Sequence, residues 1–116
     1  MVKFKYTVHS FEEAEELLGN KAQLKIAHNT YLVQSTQFNC PVIHIRFHNT
    51  NVVTYYPYGD VNLDNGGWDT ITTRDRIKQN LPLGWNFFRK QGKNYLSRGF
   101  EEPFEVDLPI LIEIAR

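Results

Sequence analysis

Two stretches of the chain carry side chains suited to holding charged or ring-shaped partners. In WNFFRKQGKNYLSR, residues 85–98, aromatic and basic residues alternate about Gln91-Gly92. With that pair as a hairpin loop, Lys90 faces Lys93, Phe88 faces Tyr95 and Asn86 faces Ser97. Trp85, Phe87 and Leu96 then take the more apolar face, toward a core. Phe88 and Tyr95, with Arg89, Lys90 and Lys93 nearby, form a platform of the kind on which unpaired bases stack, each worth about 1–3 kcal/mol. A helix laid over that face would instead make the same rings core.

The second stretch is TITTRDRIKQN, residues 70–80. Arg74, Arg76 and Lys78, two threonine hydroxyls and the open amides of a helix start are donors for a phosphate or carboxylate. Gly66-Gly67 just upstream lets backbone come close to a ligand. The GxxxxGK spacing of a nucleotide-binding P-loop is absent. A helix cap and a surface Arg–Asp pair also account for these residues.

Other chemistries find little support. His44 and His48 share a strand face but stand four residues apart, ~13 Å at strand rise, too far to bind one metal. His9 and His28 have no carboxylate motif beside them. Cys40 and His44 are near in sequence, but their spacing does not make a nucleophile pair. Ser10, Ser35 and Ser97 lack a GxSxG elbow, and Asp60, Asp64 and Asp69 fall in turn sequences. The expectation is a protein without catalytic residues, metal or cofactor.

Composition sets the frame. The 116 residues suit a single domain, 1–116, with 41% hydrophobic and 22% charged residues. Thirteen basic residues balance thirteen acidic ones, so net charge does not hold the chain to nucleic acid. A lone cysteine fits a reducing cytoplasm, and neither a signal-peptide core nor a membrane-length apolar run is present. Charge is uneven, however. Residues 72–100 hold seven basic residues against Asp75, whereas 101–116 hold five acidic ones, among them Glu101, Glu102, Glu105 and Asp107, against Arg116. That pattern predicts one basic patch and one acidic tail.

The elements follow from periodicity. Val2, Phe4, Tyr6 and Val8 alternate with polar residues and predict an opening strand. Ser10 with Glu13 predicts the cap of a helix over FEEAEELL, its stripe Phe11, Ala14, Leu17 and Leu18, stopped at Gly19-Asn20. LKIA and TYLVQ predict strands around His28-Asn29, and the polar STQFNC stretch closes at Pro41. VIHIRFH alternates Ile43, Ile45 and Phe47 against His44, Arg46 and His48. Turns at Asn49-Thr50-Asn51 and Pro57–Asp60 then complete a three-stranded meander ending at VNL. Asp64–Gly67 predicts a tight turn, with Trp68 and Ile71 packing inward. Thr72 and Asp75 predict the cap of a short helix, TRDRIKQN, with Ile77 and Leu81 buried. LPILIEIA suits a central strand or a partner surface, including a second copy of the chain. The expected class is α+β: a mainly antiparallel sheet, meander plus hairpin, with an N-terminal helix and a short helix after the GGW turn.

Three blocks together carry a resemblance: Asn29-Thr30-Tyr31-Leu32, Phe47-His48-Asn49-Thr50, and Gly66-Gly67-Trp68 through Thr70, Thr72, Thr73, Arg74, Asp75 and Arg76. The pattern NTYL…FHNT…GGWxTxTTRDR resembles a family of small bacteriophage and prophage proteins. The resemblance covers about the middle half of the chain and implies a non-catalytic accessory protein in a bacterial host cell. The expected action is to occupy a host nucleic-acid-handling or defence complex, with the acidic tail imitating phosphate. One alternative is direct binding of single-stranded nucleic acid by the basic, aromatic hairpin. Another is sequestration of a nucleotide signal in a pocket near Gly67 and Arg74.

Overall fold

The computed structural model describes residues 3–113. Helix α1, Phe11–Leu18, starts where the Glu13 amide donates to Ser10 Oγ at 3.1 Å, as the spacing of those two residues predicts. It buries Phe11, Ala14 and Leu18, and Gly19, at φ 58°, ends it. Strands β1 (Gln23–Ala27), β2 (Thr30–Gln37), β3 (Cys40–Phe47), β4 (Thr50–Tyr55) and β5 (Val61–Leu63) follow. Next come helix α2 (Ile71–Gln79), strands β6 (Trp85–Lys90), β7 (Lys93–Arg98) and β8 (Phe104–Val106), and last β9 (Ile110–Ile112).

The strands form a six-stranded sheet in the order β1-β2-β3-β4-β5-β9 and a three-stranded sheet, β6-β7-β8. All pairs are antiparallel, so the class is α+β, with one helix at the N-terminal end and a short one after the GGW turn as the sequence predicts. One contiguous core joins Leu32, Ile45, Val53 and Leu63 of the larger sheet to Ala14 and Leu18 of α1, Ile77 of α2, and Phe87 and Leu96 of the smaller sheet. Each such side chain contributes about 1.5–3 kcal/mol on burial. A buried polar knot fixes the end of α2: Asn80 Oδ1 accepts from the Val8 amide at 3.1 Å, Asn80 Nδ2 donates to Arg76 O, and the Tyr55 hydroxyl reaches the carbonyls of Val8 and Asn80. Burial, with Glu13 adding to it, raises the Tyr55 pKa well above its ordinary value, so the phenol stays a donor.

Several local expectations are corrected. Residues 3–8 form no strand, because the amides of Lys5 and Tyr6 converge on the single carbonyl of Ile26 and no ladder can extend (Val2 lies outside the described residues). The STQ segment belongs to β2, and β3 begins at Cys40. Phe38 and Asn39, at φ 50° and 63°, make the two-residue turn between them. The next turn is His48-Asn49, one step earlier than the polar run suggests, since Thr50 already pairs with Phe47. The bulge between β3 and β4 falls in β4, where Val52 stands between the partners of Ile45 and Arg46, and in β3 His44 is buried together with Val42, Ile43 and Ile45 because both faces of its middle are covered. The acidic segment supplies a third strand, β8, to the hairpin sheet. LPILIEIA contributes β9, an edge strand rather than a central one, and its residues 114 and 115 lie outside the described range.

Candidate functional site

The three motif blocks meet at one end of the larger sheet. Residues 28–30 join β1 to β2, residues 47–50 join β3 to β4, and residues 64–73 lead from β5 into α2. Arg76 ties these segments together. Its Nε donates to Thr30 Oγ1 at 3.1 Å, its Nη2 to His28 O at 3.1 Å and its Nη1 to Thr72 O at 3.3 Å. The His48 amide donates to Asn29 O, locking the two hairpin turns side by side.

The loop before α2 is pinned by its own side chains. Asp64 Oδ1 accepts from the Gly66 amide and Asn65 Oδ1 from the Gly67 amide, each at 2.9 Å, and Trp68 N donates to Asn65 O. Gly66 is needed twice over. Its φ is 61°, and a Cβ there would fall 2.5 Å from Thr50 Oγ1. The loop thus lies directly against β4 and turns Trp68 outward.

Trp68 is 69% and Ile71 76% exposed, which corrects the expectation that they pack inward. Helix α2 starts two residues earlier than its sequence cap suggests. Thr70, not Thr72, is the N-cap: its Oγ1 accepts from the Thr73 amide at 3.2 Å and is linked to the hydroxyls of Thr72 and Thr73.

These segments enclose a cleft of about 420 Å³, within the range of small-molecule sites. Trp68, Phe47 and Val52 line it with apolar surface. Asn49, Asn65, Thr50, Thr70, Thr72 and Thr73 supply amides and hydroxyls, and His48 is the one ionisable group on its wall. An aromatic face with uncharged donors and acceptors suits a neutral, hydrogen-bonding ring better than a metal or a highly charged chain.

The sequence-predicted residues divide among four places. Arg74, Lys78, Phe88 and Arg89 line a groove of about 280 Å³ between α2 and β6, together with Ile71, Asp75 and Phe87. Arg76 is only 1% exposed, which corrects its expected role as a phosphate contact: its donors are spent on protein acceptors. The signal was present, since Thr73, Arg76, Ile77 and Asn80 recur at helical spacing and all are buried.

The hairpin has the expected register, Lys90 opposite Lys93, Phe88 opposite Tyr95 and Asn86 opposite Ser97. Phe88 and Tyr95 are half-buried and stacked on each other, centroids 5.5 Å apart at 14°, so one face of each ring is already engaged. Lys90 and Lys93 are exposed at the turn.

Glu101, Glu102, Glu105 and Asp107 are exposed, but they do not form a zone apart from the basic residues. Glu105 pairs in register with Tyr95 and its carboxylate lies 3.7 Å from Lys93 Nζ, because β8 adds directly to the hairpin. Composition and spacing do not mark Trp68, His48, Asn49, Asn65 and Thr70 as ligands; the motif blocks, which contain all of them but Asn65, are the signal in the sequence.

Among the described residues no group of three His, Cys, Asp or Glu is placed to hold a metal ion, and no helix is long and apolar enough to cross a membrane. The family model of the Kyanoviridae Gp96 protein matches residues 9–109. The chain belongs to that family of phage proteins, in keeping with the bacteriophage resemblance of its motif blocks. No curated protein and no solved structure matches it.

Proposed function

We propose that this phage protein acts by holding a ligand rather than transforming one, and that the ligand is a nucleoside or nucleotide seated in the cleft. The observation that carries this reading is Trp68, a large ring left in solvent at the rim by a loop with its own fixed geometry. A base stacked on such a ring gains about 1–3 kcal/mol. The side-chain amide of Asn49 offers a donor and an acceptor to a base edge, that of Asn65 a donor, its oxygen being held by the Gly67 amide, and the threonine hydroxyls suit a ribose. In the cytoplasm of a bacterial host, retention of this kind withdraws a nucleotide signal from whatever reads it.

Calorimetric titration with the common ribonucleosides and their 5′-monophosphates tests the reading. Saturable binding of at least one is expected, weakened about 5- to 150-fold by Trp68→Ala. Absence of binding at millimolar concentrations of every compound overturns it.

A second reading rests on a different surface. Phe100 and Leu83 are fully or largely exposed, Phe104 half so, and a 2.7 Å hydrogen bond from Gly99 N to Gly84 O brings the loops bearing Leu83 and Phe100 together beside Glu101 and Glu102. Apolar anchors with an acidic rim favour contact with a basic groove on a host nucleic-acid-handling or defence protein. Glu101→Lys with Glu102→Lys would abolish such an interaction and leave ligand binding in the cleft intact.

A further inference from the structure

Two arginines on the wall of the groove between α2 and β6 share a carboxylate, an arrangement the cleft does not explain. One carboxylate of Asp69 is shared by two guanidiniums: Arg74 Nη1 donates to Oδ1 at 2.7 Å, and Arg89 Nη1 pairs with Oδ2. The three side chains are each 21–34% exposed, so the cluster is sheltered without being sealed. Lys78, one helical turn beyond Arg74 and on the same wall, has no carboxylate within 4 Å among the described residues. Asp75, the acidic residue on the groove wall, is engaged by Gln79 Nε2 at 3.4 Å. Two planar forks converging on one acceptor, with an unpaired ammonium nearby, match the demands of a phosphate group.

We infer that this groove is the phosphate subsite of the ligand held in the cleft, with the Asp69 carboxylate occupying the phosphate position until ligand arrives. The inference rests on the nucleotide reading above. The first turn of α2 is the wall common to both cavities: Thr72 and Thr73 face the cleft, while Ile71 and Arg74 face the groove. About one helix width, ~10 Å, separates them, a span within reach of a nucleoside phosphate. Asp69 follows Trp68 directly, so the residue that yields to phosphate adjoins the residue that stacks the base. Displacement leaves Arg74 anchored, because its Nη1 also donates to the Asp69 backbone carbonyl at 3.2 Å.

The experiment is a calorimetric titration of the full chain with a nucleoside, its 5′-monophosphate and inorganic phosphate, at low and high salt. The monophosphate is expected to bind about tenfold or more tighter than the nucleoside, an advantage that shrinks as salt rises. Lys78→Gln and Arg89→Gln narrow that ratio, and Asp69→Asn, which removes the competing carboxylate, widens it. Thermal melting of each variant separates a lost subsite from a lost fold. Equal affinity for nucleoside and monophosphate, or a ratio narrowed by Asp69→Asn in a folded variant, overturns the phosphate subsite and leaves the cleft reading standing. Retention of inorganic phosphate with no nucleoside binding overturns the cleft reading instead. Binding of none of the three overturns both.

Discussion

The guanidinium carbon of Arg76 stands 4.2 Å from the centre of the Phe47 ring, so a buried cation backs an aromatic wall of the cleft. No carboxylate lies within ion-pairing distance of it among the described residues; its charge is met by two carbonyls, a hydroxyl and the ring. Burial lowers its pKa and Asp75 raises it, and a guanidinium stays charged throughout the working range.

Arg76 is therefore expected to matter for stability first. Arg76→Ala strands one buried and two partly buried acceptors and empties a packed volume, at a cost of about 2–4 kcal/mol in urea unfolding. Arg76→Lys recovers little, because one ammonium cannot reproduce a planar fork that serves three acceptors. A variant as stable as the parent would show that the cation does not join the motif blocks.

Gly66 and Gly67 make a matched pair of controls. Both have positive φ, 61° and 83°, but only at Gly66 does an added Cβ strike a neighbour, Thr50. Gly66→Ala is expected to cost at least about 1 kcal/mol more than Gly67→Ala. Thr50→Ala removes the two closest atoms and should recover part of the difference, read as a coupling energy in a double-mutant cycle. Equal costs for the two glycines would contradict the close approach of loop and strand.

His44 gives the fold a pH dependence. It is buried and hydrogen-bonded to Thr54 Oγ1 at 2.8 Å; burial lowers its pKa, and Arg46 lowers it further. The unfolded chain takes up the proton at the ordinary imidazole value, about 6.5, and the folded chain only at lower pH. Its contribution is thus fully present above pH ~6.5 and is lost as pH falls toward the folded value. Melting temperatures measured from pH 7.5 to 5 should fall more steeply for the parent than for His44→Gln. Parallel curves would show that His44 does not carry this dependence.

Trp68 and Ile71, both exposed, should behave as the opposite of a core. Trp68→Ala and Ile71→Ser should each shift unfolding stability by no more than about 0.5 kcal/mol, since neither side chain packs inward. A loss of 2 kcal/mol or more at either position would restore the inward packing that the sequence suggested.

Legibility in the sequence was uneven for physical reasons. Helix α1 was readable because Ser10 and the Phe11–Leu18 stripe agree, and the hairpin register because a two-residue loop admits only one pairing. Strand β8, three residues long, is too short to show a period, so the acidic segment reads as a tail, whereas the apolar run of LPILIEIA marks β9 as a strand without giving its place at the sheet edge. The direction of Trp68 was not readable, because its loop is set by a tertiary contact between Gly66 and Thr50. Among Arg74, Arg76 and Lys78 the charges look alike, and only the 3.6-residue period sends Arg76 inward.

The central claim is that a nucleoside or nucleotide lies against Trp68 in the cleft. Amide and indole shift mapping on isotope-labelled protein, titrated with a 5′-mononucleotide, tests it most directly. Saturable shifts are expected at Trp68, Asn49, Thr50, Asn65 and Thr70 to Thr73, with the Trp68 indole N–H among the largest. Shifts centred instead on Tyr95 and the β6–β7 turn, or none at saturating ligand, would contradict it.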